Sequence, residues 1–384
     1  MLVGTDGDRD ARPSGGPGHG RRHPVVTGVS AGDPARAAIL RHCRELGMTE
    51  AEIAEAGDDL VETAVRRAYG RGRSDLTLDE VAERSGVGRP RVEEIVKAGG
   101  VMERDLGEPI FSDEDVEAMR LFSAAEELLG TEAVLQMIRV AGASMVRVGD
   151  AAISLFLTNR AAPAMREDES GLRLLEANMA AAELLPGFGQ TLTQMLIRYL
   201  RLSFRPMSEA FIAGELGVDV DAIELAIGFA DLVGSTELAG RRSLAELSRA
   251  LDGFERTATD AVLTGGGRVV KFIGDEVMFR APDADAGCAI AVDLAARVRA
   301  DPDLPPLRAG VAFGDVVSRD GDFYGPTVNL AARITKLSPL HGVVITAATA
   351  QALAPDHSFS ITALGAIEMK GVPEPVELAA VTRA

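Results

Sequence analysis

The chain has 384 residues, enough for two or three domains, and 46% of them are hydrophobic, which excludes a chain disordered throughout. Asp and Glu number 58 against 40 Lys and Arg, a formal net charge of −18 that repels nucleic acid and anionic membranes unless a local basic patch overrides it. Cys43 and Cys288 are the only cysteines and have no metal-ligand spacing, so neither a disulfide framework nor a zinc cluster is expected, and a reducing cytoplasm is.

Residues 1–30 are rich in Gly, Pro, Arg and Asp without apolar periodicity and read as a disordered tail without a signal peptide. Residues 31–205 have an all-α texture of Ala, Leu, Glu and Arg broken by Gly and Pro. Within them the stretch 76–98 resembles a helix-turn-helix, with Gly86 at the turn and Arg84, Arg89 and Arg91 able to face phosphates. The acidic surroundings favour a helical hairpin used for packing, so a nucleic-acid partner is not expected. The apolar stretch from Leu128 to Leu157 is interrupted by Glu132, Arg139, Arg147 and Asp150, which argues against a membrane span. Leu192, Met195, Leu196, Tyr199 and Leu202 recur every three or four residues and share one helix face, and Arg205-Pro206 is expected to end that helix. A linker over 206–220 follows.

From 221 to 384 the texture changes to α+β. Strands are expected at Leu225–Ala230, Arg268–Ile273, Val277–Phe279, Leu307–Ala312 and Val343–Thr346, with helices at Ser243–Val262, Asp283–Arg299 and Thr327–Leu337. Strand, helix, hairpin, helix, strand is the order of a ferredoxin-like, split β-α-β sheet.

Two segments of this half carry chemistry. Phe229-Ala230-Asp231-Leu232-Val233-Gly234-Ser235-Thr236 puts an acid at the end of an apolar strand, before a tight turn into a helix that Ser235 or Thr236 would cap. In Lys271-Phe272-Ile273-Gly274-Asp275-Glu276-Val277-Met278-Phe279, Gly274-Asp275 has the form of a two-residue hairpin turn, which lifts the Asp275 carboxylate above the sheet edge. Each motif alone has a plain structural explanation. If the strand and hairpin are neighbours, the two carboxylates converge and suit Mg²⁺, which takes oxygen ligands and completes its shell with water and phosphate.

Together these segments resemble the metal-binding motifs of class III nucleotidyl cyclases, over about 221–384. The resemblance implies two Mg²⁺ (or Mn²⁺) ions held by Asp231 and Asp275, and a homodimer with sites shared between subunits. It also implies base recognition by Lys271 and Asp322, a ribose-orienting Asn329, a transition-state Arg333 and a triphosphate contact from Lys370. Chemistry agrees on the base: a Lys donates only and an ionised Asp accepts only, which matches adenine's ring nitrogen and amino group and mismatches guanine. Asn329 and Arg333 are four apart and share a helix face. The implied reaction converts ATP to 3′,5′-cyclic AMP and pyrophosphate. Many family members carry an Arg where this chain has Asp315, so one phosphate contact is expected to be missing or supplied elsewhere.

The layout of the N-terminal half resembles that of actinobacterial pH-sensing adenylyl cyclases, which implies a regulatory domain restraining the catalytic one. His42, His341 and His357 are the simple proton sensors outside the tail. Two rival readings remain. Ile273-Gly274-Asp275-Glu276 is similar to the signature of diguanylate cyclases, although the Lys271–Asp322 pair does not suit guanine. The other rival is a DNA-binding regulator with a ligand-binding, non-catalytic cyclase-like domain.

Overall fold

The computed structural model describes residues 33–70, 76–102, 105–212, 223–234, 244–372 and 374–384. The expected tail over 1–30 and the capping positions Ser235 and Thr236 lie outside the described residues. The chain divides into two units, Met1–Ser203 and Phe204–Ala384.

The first unit is helical because short amphipathic segments are started and stopped by local caps. Helix α1 (Pro34–Glu45) begins where the Asp33 carboxylate accepts from the Ala35 amide at 2.8 Å. Capping boxes start α2 (Glu50–Ala56) at Thr49 and Glu52, α4 (Leu78–Ser85) at Thr77 and Glu80, and α6 (Asp113–Leu129) at Ser112 and Asp115, each satisfying amide groups that the first turn leaves open. With α3 (Leu60–Gly70), α1 and α2 enclose Ile39, Cys43, Leu60, Val61 and Ala64, against which Leu175 packs. A second core joins α4, α5 (Arg89–Ala98), α6 and α7 (Thr131–Phe156) through Val81, Val92, Phe111, Val116 and Leu135.

The helix-turn-helix-like segment forms as α4 and α5, with Gly86 left-handed at φ 77°. Its three arginines are each engaged by acids. Arg84 meets Asp113, Arg89 lies 2.5 Å from Asp79 and 2.9 Å from Glu93, and Arg91 pairs with Glu94 and Glu126. Guanidinium groups neutralised in this way fasten helices together and leave little net charge for a phosphate backbone.

Two expectations need correction. A π-turn (Leu157–Ala161) links α7 to α8 (Ala162–Glu167), and the helical stretch Thr131–Glu167 is long and apolar enough to cross a membrane by length and composition. The charges are spaced widely enough to leave an 18-residue window with no more than two, so they do not rule a span out as expected. The other concerns Arg205-Pro206, which does not end its helix: α9 runs from Leu172 to Ile212. Proline in a helix interior costs about 3 kcal/mol but does not forbid continuation, and helix formers such as Leu200, Leu202, Met207 and Glu209 flank it. Residues 206–212 of the expected linker are therefore helical. Of the apolar face expected on α9, Leu192 is half-buried, while Met195, Leu196, Tyr199 and Leu202 are exposed.

The second unit is a mixed sheet in the order β2-β3-β1-β4-β6-β8-β7, with β5 paired to β4. The strands are β1 (Ile223–Leu232), β2 (Arg268–Ile273), β3 (Glu276–Ala281), β4 (Leu307–Arg319), β5 (Asp322–Tyr324), β6 (Val343–Thr346), β7 (Phe359–Ile367) and β8 (Val376–Arg383). Helices α10 (Leu244–Thr264), α11 (Ala284–Ala300), α12 (Pro326–Leu337) and α13 (Ala347–Gln351) complete it. The expected split β-α-β core is present as β1-α10-β2-β3-α11-β4. Strand alternation divides β1 between two cores. Ala226 and Ala230 pack with Phe254, Ala258 and Leu294 of α10 and α11, whereas Leu225, Ile227 and Phe229 pack with Ala331 of α12.

Gly310 fixes the α12 side. A Cβ there would lie 2.5 Å from the Thr335 backbone nitrogen and 2.7 Å from the Ile334 side chain. Backbone cannot move aside cheaply, so Gly310→Ala is expected to destabilise this unit by about 1–3 kcal/mol. A lowered thermal unfolding midpoint would register the loss, and an unchanged midpoint would show that α12 does not depend on this approach.

Candidate active site

β1 and the β2–β3 hairpin meet at their ends. Asp231 is the penultimate residue of β1 and lies opposite Glu276 of β3 on one side and Arg308 of β4 on the other. Gly274 and Asp275 form the two-residue turn, Gly274 taking the left-handed φ of 65° that its first position needs. The Leu232 amide donates to the Asp275 carbonyl at 3.2 Å, which ties the hairpin to the end of β1 and brings both aspartates to one corner of the sheet.

The electrostatics of that corner are set by three side chains abreast. Arg308 donates from Nε at 2.9 Å and Nη2 at 2.6 Å, both to Oδ2 of Asp231. Among the described residues, Oδ1 of Asp231 accepts no hydrogen bond. Glu276, on the far side, has a buried Oε1 that finds no partner among the described residues. Burial pushes its carboxyl above the usual carboxylate range, with Asp231 and Asp275 adding to the rise while Lys336 and Arg308 oppose it. No group of three or more His, Cys, Asp and Glu among the described residues closes a metal cage. A two-carboxylate site that leaves most of the shell to phosphate and water does not require one, so the donor set fits Mg²⁺ or Mn²⁺.

Lys271, on edge strand β2, and Asp322, the first residue of β5, are 51 positions apart and form an ion pair. Asn329 and Arg333 lie on α12, Asn329 exposed and Arg333 half-buried. The Arg333 guanidinium reaches the loop at Gly371, where a Cβ would meet its Nη2 at 3.3 Å, so exposed Lys370 is the sequence neighbour of an Arg333 contact. Asp315, exposed on β4, stands opposite Glu224 and uses its backbone carbonyl to accept from the Thr327 hydroxyl at 2.8 Å. Arg308 and Glu276 went unread at the sequence level. The signal for both was register: each is the direct cross-strand neighbour of Asp231.

Comparison with known proteins gives the lineage. The model of the adenylate and guanylate cyclase catalytic domain matches residues 221–381. An adenylate cyclase of Glutamicibacter nicotianae is 30% identical over 344 residues, covering 86% of this chain and 85% of that protein. The chain belongs to the class III cyclase family. A Streptomyces coelicolor adenylate cyclase is 35% identical to this cyclase-family chain over 255 residues, covering 65% of the chain and 64% of the Streptomyces protein. A pH-sensitive adenylate cyclase of Mycobacterium tuberculosis is 28% identical over 360 residues, covering 91% of this chain and 88% of that one.

Proposed function

We propose that the chain is an adenylyl cyclase, converting ATP to 3′,5′-cyclic AMP and pyrophosphate at sites shared by two identical subunits. The observation that carries this reading is the convergence of Asp231 and Asp275 where β1 meets the hairpin, Leu232 N–H to Asp275 C=O at 3.2 Å. Two divalent cations held by those carboxylates would supply Lewis-acid stabilisation of the charge that builds on the phosphates. In the reaction the ribose 3′ oxygen forms a bond to the α-phosphorus, the bond from that phosphorus to the β-phosphate oxygen breaks, and the hydroxyl proton passes to solvent. The chain's own groups orient and neutralise. Lys271 donates to the adenine ring nitrogen, Asp322 accepts from the amino group, Asn329 orients the ribose, Arg333 faces the charge developing on the attacked phosphate and Lys370 holds the triphosphate. The names of the Glutamicibacter and Streptomyces relatives support ATP as substrate.

Regulation by the N-terminal helices, with a response to pH, belongs to the same proposal. It is supported by likeness to the pH-sensitive mycobacterial enzyme along most of the chain. His42 of α1 gives the idea a candidate atom, with Nδ1 2.9 Å from Glu45 and Nε2 3.7 Å from Glu176 of α9. The two carboxylates place the His42 ring between its own helix and α9. His341 suits the role less well, because burial and Arg299 hold it below the usual imidazole range. Buried, unpaired Cys43 and Cys288 support a cytoplasmic setting. The ion-paired Arg84, Arg89 and Arg91 give no support to a DNA-binding regulator.

The deciding experiment incubates purified full-length protein with ATP or GTP and Mn²⁺ from about pH 5 to 8 and measures cyclic nucleotide and pyrophosphate. Cyclic AMP from ATP, with a rate that changes across that range, is expected. ATP binding without turnover at any pH would sink the enzymatic reading.

A further inference from the structure

Arg308 grips Asp231, an expected metal ligand, directly, and the form of the grip is informative. Arg308, Asp231 and Glu276 stand in a row across β4, β1 and β3, on the sheet face that Gly310 and Ala312 present to α12. Guanidinium groups commonly bind a carboxylate as a fork, one nitrogen to each oxygen. Here Nε and Nη2 converge on Oδ2 alone, at 2.9 and 2.6 Å. The pair is largely withdrawn from water, with the Asp231 side chain 16% exposed and that of Arg308 28%, so these charge-assisted bonds are screened less than surface ones. Two donors on one oxygen fix the torsion of the carboxylate and leave Oδ1 open.

We propose that Arg308 is a positioning residue for the metal site, holding Asp231 by Oδ2 so that Oδ1 stays aimed at a divalent cation. The inference rests on the reading of Asp231 as a metal ligand. It makes a prediction opposite in sign to that of charge alone. A guanidinium beside a cation site repels the cation, so simple electrostatics says that deleting it should tighten binding. Positioning says that deletion lets the carboxylate rotate, or turn toward other partners, and so weakens binding.

The test measures free Mn²⁺ by electron paramagnetic resonance during titration of the full-length protein, with thermal unfolding in EDTA as the check on folding. Arg308→Met keeps the length and removes charge and donors, and is expected to raise the Mn²⁺ dissociation constant roughly tenfold. Arg308→Lys restores charge with a point donor in place of the fork and is expected to recover part of the loss. A folded R308M that binds Mn²⁺ as tightly as the unaltered protein, or more tightly, overturns the proposal. If R308M does not fold, R308K decides by the same measure, weaker binding supporting the proposal and equal or tighter binding overturning it. Should the unaltered protein bind no Mn²⁺ and form no cyclic AMP, the failure lies with the proposed function instead.

Discussion

Replacing Asp275 by alanine is expected to abolish measurable cyclic AMP formation, a loss of about a thousandfold, the upper end of what removing one preorganised electrostatic contact to the transition state costs. Mixing that protein with the Lys271→Ala variant is expected to return part of the activity. In the shared-site arrangement, one subunit supplies Asp231 and Asp275 and the other supplies Lys271, Asp322, Asn329 and Arg333. A heterodimer of the two variants joins the intact aspartates of one subunit to the intact Lys271 of the other, and its second site carries both lesions. With free exchange, half of the dimers are mixed and each has one working site of two, so about a quarter of the original activity should return. Each variant assayed alone, at the same total concentration, sets the background. The shared-site model fails if subunit exchange is demonstrated by mixed-tag capture and the mixture stays at that background. The pairing of Lys271 with Asp322 within one chain fits the scheme, since both base-facing groups then belong to the same subunit's contribution.

The local parts of the site were legible in the sequence because local chemistry writes them. β1 is buried on both faces, so it reads as an unbroken apolar run, and an acid at its end stands out. Gly274-Asp275 between two apolar runs announces a hairpin for the same reason. β7 escaped notice because Phe359–Ile367 is exposed along most of its length and lacks the alternation that marks a half-buried strand. β5 has only three residues and exists through its pairing with the end of β4. Arg308 was visible as a residue but not as a partner, since 77 positions separate it from Asp231 and only the β1–β4 register brings them together. Pro206 misleads in the other direction: its local penalty reads as a boundary, while the helix around it continues to Ile212.

Base choice gives the other large effect. Asp322→Asn is expected to lower kcat/KM for ATP and to cut the preference for ATP over GTP by roughly a hundredfold or more, because sites built to hydrogen-bond a particular edge discriminate by leaving the wrong edge unpaired. An ionised aspartate can only accept, which suits adenine's amino group and opposes the guanine carbonyl at the same place. Asparagine carries both donor and acceptor and can turn its amide to meet either base. Lys271 still only donates, so the ring N–H of guanine keeps an unmatched neighbour and GTP should improve without overtaking ATP. A competing explanation has to be separated. Lys271 and Asp322 bind each other in the free chain, and adenine must part them. With side chains 41% and 23% exposed, that pair is worth at most about 1 kcal/mol, so opening it costs no more than about fivefold. Asparagine would relieve that cost equally for ATP and GTP, raising both rates and leaving their ratio alone. Measured kcat/KM values for the two nucleotides therefore distinguish the cases: a changed ratio assigns Asp322 to base reading, and an unchanged ratio with both rates altered reduces it to a surface counter-ion of Lys271.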